Sequence, residues 1–330
     1  MSEVLRAALR RLPRRPLALL PTPLEPAPRL GERLGIELYV KREDQSGLGL
    51  GGNKARQVEV LLADAVARGA EVVLTTAGAQ SNFCRAFAAG AARLGLRCIL
   101  LLRGDGRAAP AGNLLLDMLF GAEVHWIDTA DPYDPAVLGR LQALAAVAGG
   151  PTWIVQLPGA AGPLAAAAAA GLALEIAEQC EPEAVWLAAG SGLTAAGLVL
   201  GCEALGLPAR VHVVSVQQPR AFIEPLIRHR AEEAAALLGL DVRLAPDRLA
   251  VDDGWIGPGY GQPSRAALDA LTLAARLEGW VLDPVYTGKA LAALIASARP
   301  GERAVFVHSG GAPALFAHGA AVAAHLLEPA

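Results

Sequence analysis

Lysine is nearly missing from this chain: of 29 basic residues in 330, only Lys41, Lys54 and Lys289 are lysines. Arginine stays protonated at any accessible pH, whereas a desolvated lysine can lose its proton and act as a nucleophile. Lys54 follows the glycine run "GLGLGGN" (47–53) and opens a helical pattern, which makes it a candidate for chemistry. Cysteine is sparse too. Cys84, Cys98, Cys180 and Cys202 never approach CxxC spacing, which argues against a metal site or a disulfide framework and suits a reducing cytoplasm. The net charge of −3 offers no basic stripe for nucleic acid or an anionic membrane. Long hydrophobic runs are also missing. The longest uncharged stretch, Leu141–Leu174, is broken by "GGP", "LPG" and "AGP", and reads as strand, loop and helix rather than a membrane span. The arginine-rich start has the look of a transit peptide, but it carries Glu3, is poor in serine and lacks an apolar core for secretion. The expected location is the cytoplasm.

What the chain has is alternation. Apolar runs at 36–41, 71–76, 97–104, 123–128, 184–189, 211–216 and 302–311 read as strands, the last entering a glycine turn. Helical patterns over 53–69, 81–95, 111–121, 164–179, 194–206 and 313–327 separate or follow them. Apolar strands without polar alternation, each followed by a helix, imply mainly parallel sheets covered on both faces. The length suffices for two domains, and the Pro/Gly cluster at 157–163 is the best boundary. The alanine run 165–170 is a good helix former rather than a linker.

Several motifs carry chemistry. "GLGLGGNKA" fails the phosphate-loop pattern, because Asn53 stands where the lysine must be. "AAGSGLTAAGL" places Gly190, Ser191, Gly192, Leu193 and Thr194 between a strand and a helix, where bare N–H groups can hold an anion. It also fits a loose dinucleotide fingerprint. The next strand, however, ends in Gln217 and Gln218 without the carboxylate a ribose needs, so a phosphate monoester fits better than NAD. A purely structural glycine turn stays open. "TTAGAQSNFCR" sets Gln80, Ser81 and Asn82 at a strand-to-helix turn, suited to a carboxylate or to ordinary helix capping. Tyr260 in "GPGYGQP" and Tyr286 in "LDPVYTGKA" are two of only four tyrosines, placed in turns as site or packing residues. No HExxH, GxSxG or triad order occurs.

Taken in order, "VKREDQSGLGLGGNKARQVE", "TTAGAQSNFCR", "AAGSGLTAAGL", "GPGYGQP", "LEGWVLDPVYTGKA" and "VHSGG" resemble the pyridoxal-phosphate enzymes that group D-cysteine desulfhydrase with 1-aminocyclopropane-1-carboxylate (ACC) deaminase. The resemblance spans nearly the whole chain. It implies fold type II: two three-layer α/β/α domains with mainly parallel sheets. A small domain of 55–164 would be inserted into a large one of 1–54 and 165–330, with Lys54 at the junction. It implies a homodimer, with Lys54 as the Schiff-base lysine and Asn82 hydrogen-bonding the cofactor's phenolic oxygen. Gly190 to Thr194 would be the phosphate cup, Gln80 and Ser81 the substrate-carboxylate region, and Tyr260 and Tyr286 the two active-site tyrosines.

ACC deaminases of this family carry glutamate after the second tyrosine and a bulky apolar residue before the late Gly-Gly. Here Thr287 and Ser309 stand there. Hydroxyls opposite the pyridine nitrogen weaken the electron sink, which suits β-elimination of a good leaving group better than opening an unactivated ring. D-cysteine is the first expectation, L-cysteate the second and another β-substituted alanine the third, because Phe83 replaces the family's histidine and Gly159–Gly162 replaces its Gly-Gly-Ser-Asn. An NAD-dependent dehydrogenase and a catalytically silent binding protein are the alternatives of other classes.

Overall fold

The computed structural model describes residues 2–107 and 109–328. Ten strands form two sheets. They are β1 (Leu24–Pro26), β2 (Glu37–Lys41), β3 (Val72–Gly78), β4 (Arg97–Arg103), β5 (Glu123–Ile127), β6 (Thr152–Ile154), β7 (Ala184–Ala189), β8 (Arg210–Ser215), β9 (Leu249–Asp252) and β10 (Arg303–Val307). The larger sheet has the order β1-β2-β10-β7-β8-β9 and the smaller β5-β4-β3-β6. Every pairing is parallel except β1 with β2. The α/β expectation is met.

Burial on both faces explains the absence of polar alternation. On β7, Val185, Leu187 and Ala189 enter one core, while Ala184, Trp186 and Ala188 enter another. On the smaller sheet Val73, Leu100 and Leu102 join the first core, and Val72, Leu74, Ile99 and Leu101 a third. The first core therefore reaches from one sheet to the other, with Val58, Leu61 and Leu62 of the Lys54–Ala67 helix inside it.

Two expected helices are interrupted. The stretch 164–179 forms Gly162–Ala169 and Gly171–Ala177, because three-residue closures, Ala170 N to Ala167 O and Ala173 N to Ala170 O, tighten the turn before Gly171. The stretch 313–327 forms Ala312–Ala317 and Gly319–Leu327, broken at His318. Strands β1, β6 and β9 have only three or four residues and carry no clear periodicity. The helices Pro135–Ala146, Arg220–Leu238, Arg265–Glu278 and Thr287–Ser297 likewise went without an expectation.

A buried ionic cluster braces the Lys54 helix from below. Arg56 pairs with Glu43 at 2.6 Å and with Glu175 at 2.7 Å, and Glu175 also pairs with Lys41 at 2.7 Å. Thr22 Oγ1 donates to Glu43 at 2.6 Å. Lys41 is fully buried and Arg56 nearly so. Removing one partner of such a cluster leaves an uncompensated buried charge. Glu175→Gln is therefore expected to destabilise the fold by about 3–5 kcal/mol in urea unfolding. A loss below about 1 kcal/mol would mean that Glu43 alone balances both cations.

Candidate active site

The carboxyl ends of β3, β4, β7 and β10 meet around a cavity of about 1100 Å³ that includes its open mouth. Crevices at this end of parallel strands are where α/β proteins bind ligands. Lys54 lines it at the first position of its helix. The other two lysines are engaged elsewhere: Lys41 in the ionic cluster, and Lys289 with its Nζ donating to the Ile256 carbonyl at 2.7 Å. Burial brings the Lys54 amine down to about 8, against a partial upward pull from Glu43. Its Nζ donates to Asn53 Oδ1 at 3.2 Å, and Asn53 Nδ2 donates to Thr194 Oγ1 at 2.9 Å. Gln57 Nε2 also donates to Thr194 Oγ1, at 3.2 Å. Thr194 thus accepts two amide hydrogens and keeps its own hydrogen to donate.

Facing Lys54 is the turn Gly190–Thr194, which leads into the helix Leu193–Leu205. No protein group among the described residues accepts the N–H groups of Ser191, Gly192, Leu193 or Thr194. Buried Arg230 donates to the Ser191 carbonyl and adds positive charge to the cavity lining. Gly190 is tight against the tyrosines, since a Cβ there would lie 3.2 Å from Tyr286 Oη. Gly192 is needed for a different reason than close approach of a ligand. Its φ is +79°, and a Cβ would point at Ile227 Cγ1, 2.8 Å away on the Arg220–Leu238 helix.

Tyr260 and Tyr286 share a hydrogen bond of 2.8 Å between their hydroxyls, with their rings edge to face. Burial, and then Tyr260, hold the Tyr286 phenol well above its ordinary range; Tyr260, an exposed residue, is also raised by desolvation, against a downward pull from its bond to Tyr286. Both stay protonated at neutral pH, and one O–H of the pair remains to donate. Asp283 sets Tyr286 in place by accepting from the N–H groups of Val285, Tyr286 and Thr287 at 2.8–3.0 Å.

Ser81, Asn82 and Ser309 also line the cavity. Ser81 caps its helix, its Oγ accepting from Cys84 N at 3.1 Å. Two expected residues do not line it. Thr287 is turned to Asp283, its hydroxyl 2.7 Å from Oδ1, so of these two only Ser309 is a lining residue. Gln80 ties down a neighbouring turn, donating to the Ala111 carbonyl at 2.9 Å and accepting from Asn113 N at 3.0 Å. Sequence reasoning missed Asn53, Arg103 and Arg230, all in the lining. Asn53 was findable beside Lys54; the arginines carry no local signal among so many others.

The family model described as pyridoxal-phosphate-dependent enzyme matches residues 16–310. The chain belongs to this family. It is 39% identical to D-cysteine desulfhydrase of Klebsiella pneumoniae subsp. pneumoniae, over 94% of this chain and 97% of that protein. The D-cysteine desulfhydrase of Salmonella paratyphi B has the same identity and coverage. Among solved structures, an ACC deaminase homologue superposes with a TM-score of 0.89 at 32% identity, covering 98% of this chain and all of the other. Threonine deaminase isoform 2 from Solanum lycopersicum, at 16% identity and a TM-score of 0.70, shares the fold.

The family's cofactor is pyridoxal phosphate, and the residues present fit it. An amine near neutrality suits its aldehyde. A turn of free N–H groups, a donating threonine and a buried arginine suit its phosphate. Among the described residues no helix is long and apolar enough to cross a membrane, and no cluster of His, Cys, Asp or Glu could hold a metal.

The three lysines should differ sharply toward an amine-acylating reagent in the cofactor-free protein. Modification of Lys54, read by peptide mapping, is expected to accelerate as pH rises through about 8, since only the neutral amine attacks. Lys41 and Lys289 should stay protected until unfolding. Equal labelling of all three would remove the special status of Lys54.

Proposed function

We propose that the chain catalyses β-elimination on a small β-substituted amino acid, with D-cysteine and water giving pyruvate, ammonia and hydrogen sulfide. The observation that carries the reading is a half-buried amine of pKa about 8 in a cavity shared with two protonated tyrosines. It occurs in a chain 39% identical, nearly end to end, to proteins named D-cysteine desulfhydrase. Pyridoxal phosphate, when bound, supplies a conjugated electron sink next to Cα. Lys54 would hold it covalently and, once displaced by the substrate amine, take the Cα proton. The free hydroxyl of the Tyr260–Tyr286 pair is suited to protonate the departing thiolate as the Cβ–S bond breaks. Ser81 and the N-terminus of the Asn82–Leu94 helix suit the substrate carboxylate. Ser309 suits the pyridine nitrogen as a hydroxyl partner.

One observation favours a second substrate. Arg103, at the end of β4, lines the cavity without a carboxylate partner among the described residues. A guanidinium there suits the sulfonate of L-cysteate, whose elimination releases sulfite. Phe83, in the same lining and packed on Phe87, removes the family's histidine from this wall. Opening of ACC is disfavoured, because among the described residues the cavity lining contains no acidic side chain to charge the ring nitrogen.

The reading extends to the molecule as a whole. The four strands of the smaller sheet lie between residues 72 and 154, which supports a small domain of 55–164 inserted into a large one of 1–54 and 165–330. Free cysteines accord with a cytoplasmic enzyme. Leu119 and Phe316, both exposed, offer apolar surface that a second copy could cover in a homodimer.

A panel of D-cysteine, L-cysteine, L-cysteate, ACC and D-serine, assayed for pyruvate, 2-oxobutyrate, sulfide and sulfite, tests the substrate. Sulfide from D-cysteine is the expected dominant product; 2-oxobutyrate from ACC in its place would overturn the reading. In the same assay Tyr286→Phe should lower turnover by about 10²–10⁴-fold while retaining the cofactor. Turnover equal to the parent's would make Tyr286 a packing residue.

A further inference from the structure

Asn82 presents to the cavity an amide whose two ends are chemical opposites, and the hydrogen bonds behind it decide which end faces in. Arg85 is fully buried and can only donate, and its Nε donates to Asn113 Oδ1 at 2.8 Å. With that oxygen committed, Asn113 Nδ2 donates to the Gln80 carbonyl at 2.9 Å and to Asn82 Oδ1 at 2.9 Å. The Gln80 carbonyl can only accept, so it fixes the same orientation independently. The Asn82 oxygen is thereby occupied, and its NH2 group is the end left for the cavity.

We propose that Asn113 is a positioning residue that, with Arg85 behind it, locks Asn82 as a hydrogen-bond donor toward the cofactor ring. Gln80 acquires a part in this device: its side chain holds the Ala111–Asn113 turn that carries Asn113. Arg85 reaches the other side of the site as well. Its Nη2 donates to Gly51 O at 2.8 Å and its Nη1 to Gly49 O, in the loop that delivers Lys54. A single buried cation thus sets the direction of one amide and the path of the loop before the amine.

The proposal rests on Asn82 meeting the cofactor's phenolic oxygen. A donor there stabilises the anionic oxygen and lowers its proton affinity. The test is a pH titration of the bound cofactor's visible absorption. Asn113→Asp keeps an acceptor for Arg85 but offers Asn82 no donor, so Asn82 should turn its NH2 to the new carboxylate and its oxygen to the ring. The titration midpoint is expected to rise by about one to two pH units. Asn82→Ala should also raise it, and Asn82→Ala combined with Asn113→Asp should raise it no further than Asn82→Ala alone. Asn113→Ala, which introduces no charge, should give a smaller rise and serves if the aspartate variant does not fold. Folded Asn113 variants that titrate like the parent, while Asn82→Ala shifts, would overturn the relay and leave the contact between Asn82 and the cofactor standing. An unshifted Asn82→Ala would remove that contact, and the proposal with it.

Discussion

The site depends on how closely three backbone segments crowd around Lys54. Gly51 lies so near the Asp44 carbonyl that a Cβ would fall on it. Gly52 N donates to Glu43 O at 2.9 Å and Asn53 N to Ser309 O at 3.1 Å. A Cβ on Gly310 would sit 2.7 Å from Gly52 Cα. Gly51, Gly52 and Gly310 all have positive φ, in the range that L side chains rarely adopt. Only chain this bare lets the turn after β10, the segment after β2 and the Lys54 helix converge. The conformational entropy this glycine loop loses on folding is offset by fixed neighbours: Arg85 on its carbonyls and the Arg56–Glu43–Glu175 cluster beneath its helix.

Burial, rather than a catalytic carboxylate, tunes the titratable groups of the cavity. It lowers the Lys54 amine to about 8 and raises the Tyr286 phenol, which brings the neutral amine within reach of neutral pH and keeps the phenol protonated. The lining mixes apolar groups such as Phe83, Leu157 and Leu193 with Arg103, Arg230, Lys54 and several amides and hydroxyls, and among the described residues it has no acid. Such a surface suits a phosphate and an amino-acid carboxylate, because it offers neither of them like-charge repulsion.

Much of this was legible in the sequence because it lies in contiguous words. The glycine run before Lys54, the Gly190–Thr194 turn and the Ser81 cap are each local, and local geometry follows from local composition. The sheets were legible where strands are long and buried on both faces, as in β3, β4, β7 and β8. What the sequence hid is relational. Thr287 and Ser309 look equivalent as hydroxyls, and only the Asp283 cap turns one of them away. Gly192 looks like a ligand-facing glycine, yet the space beside it belongs to Ile227, 35 positions on. Arg85 and Asn113 read as an ordinary helix residue and a helix start, and acquire meaning only when β3 and β4 bring their helices side by side.

The alanine run at 165–170 is the part of the chain that reads most like filler. In space it faces the helix Leu193–Leu205 through that helix's two glycines. A Cβ on Gly197 would collide with the Ala166 carbonyl, and one on Gly201 would lie 2.7 Å from the Ala170 carbonyl. The helix that begins at the Gly190–Thr194 turn therefore packs closely on the alanine segment, with only backbone and the methyl groups of Ala169 and Ala173 between them. The run acts as a spacer whose thickness sets the separation of the two helices, and a side chain larger than alanine at Ala169 would press on Gly197. In mutational terms, the segment of lowest sequence complexity is among those with the least freedom to vary.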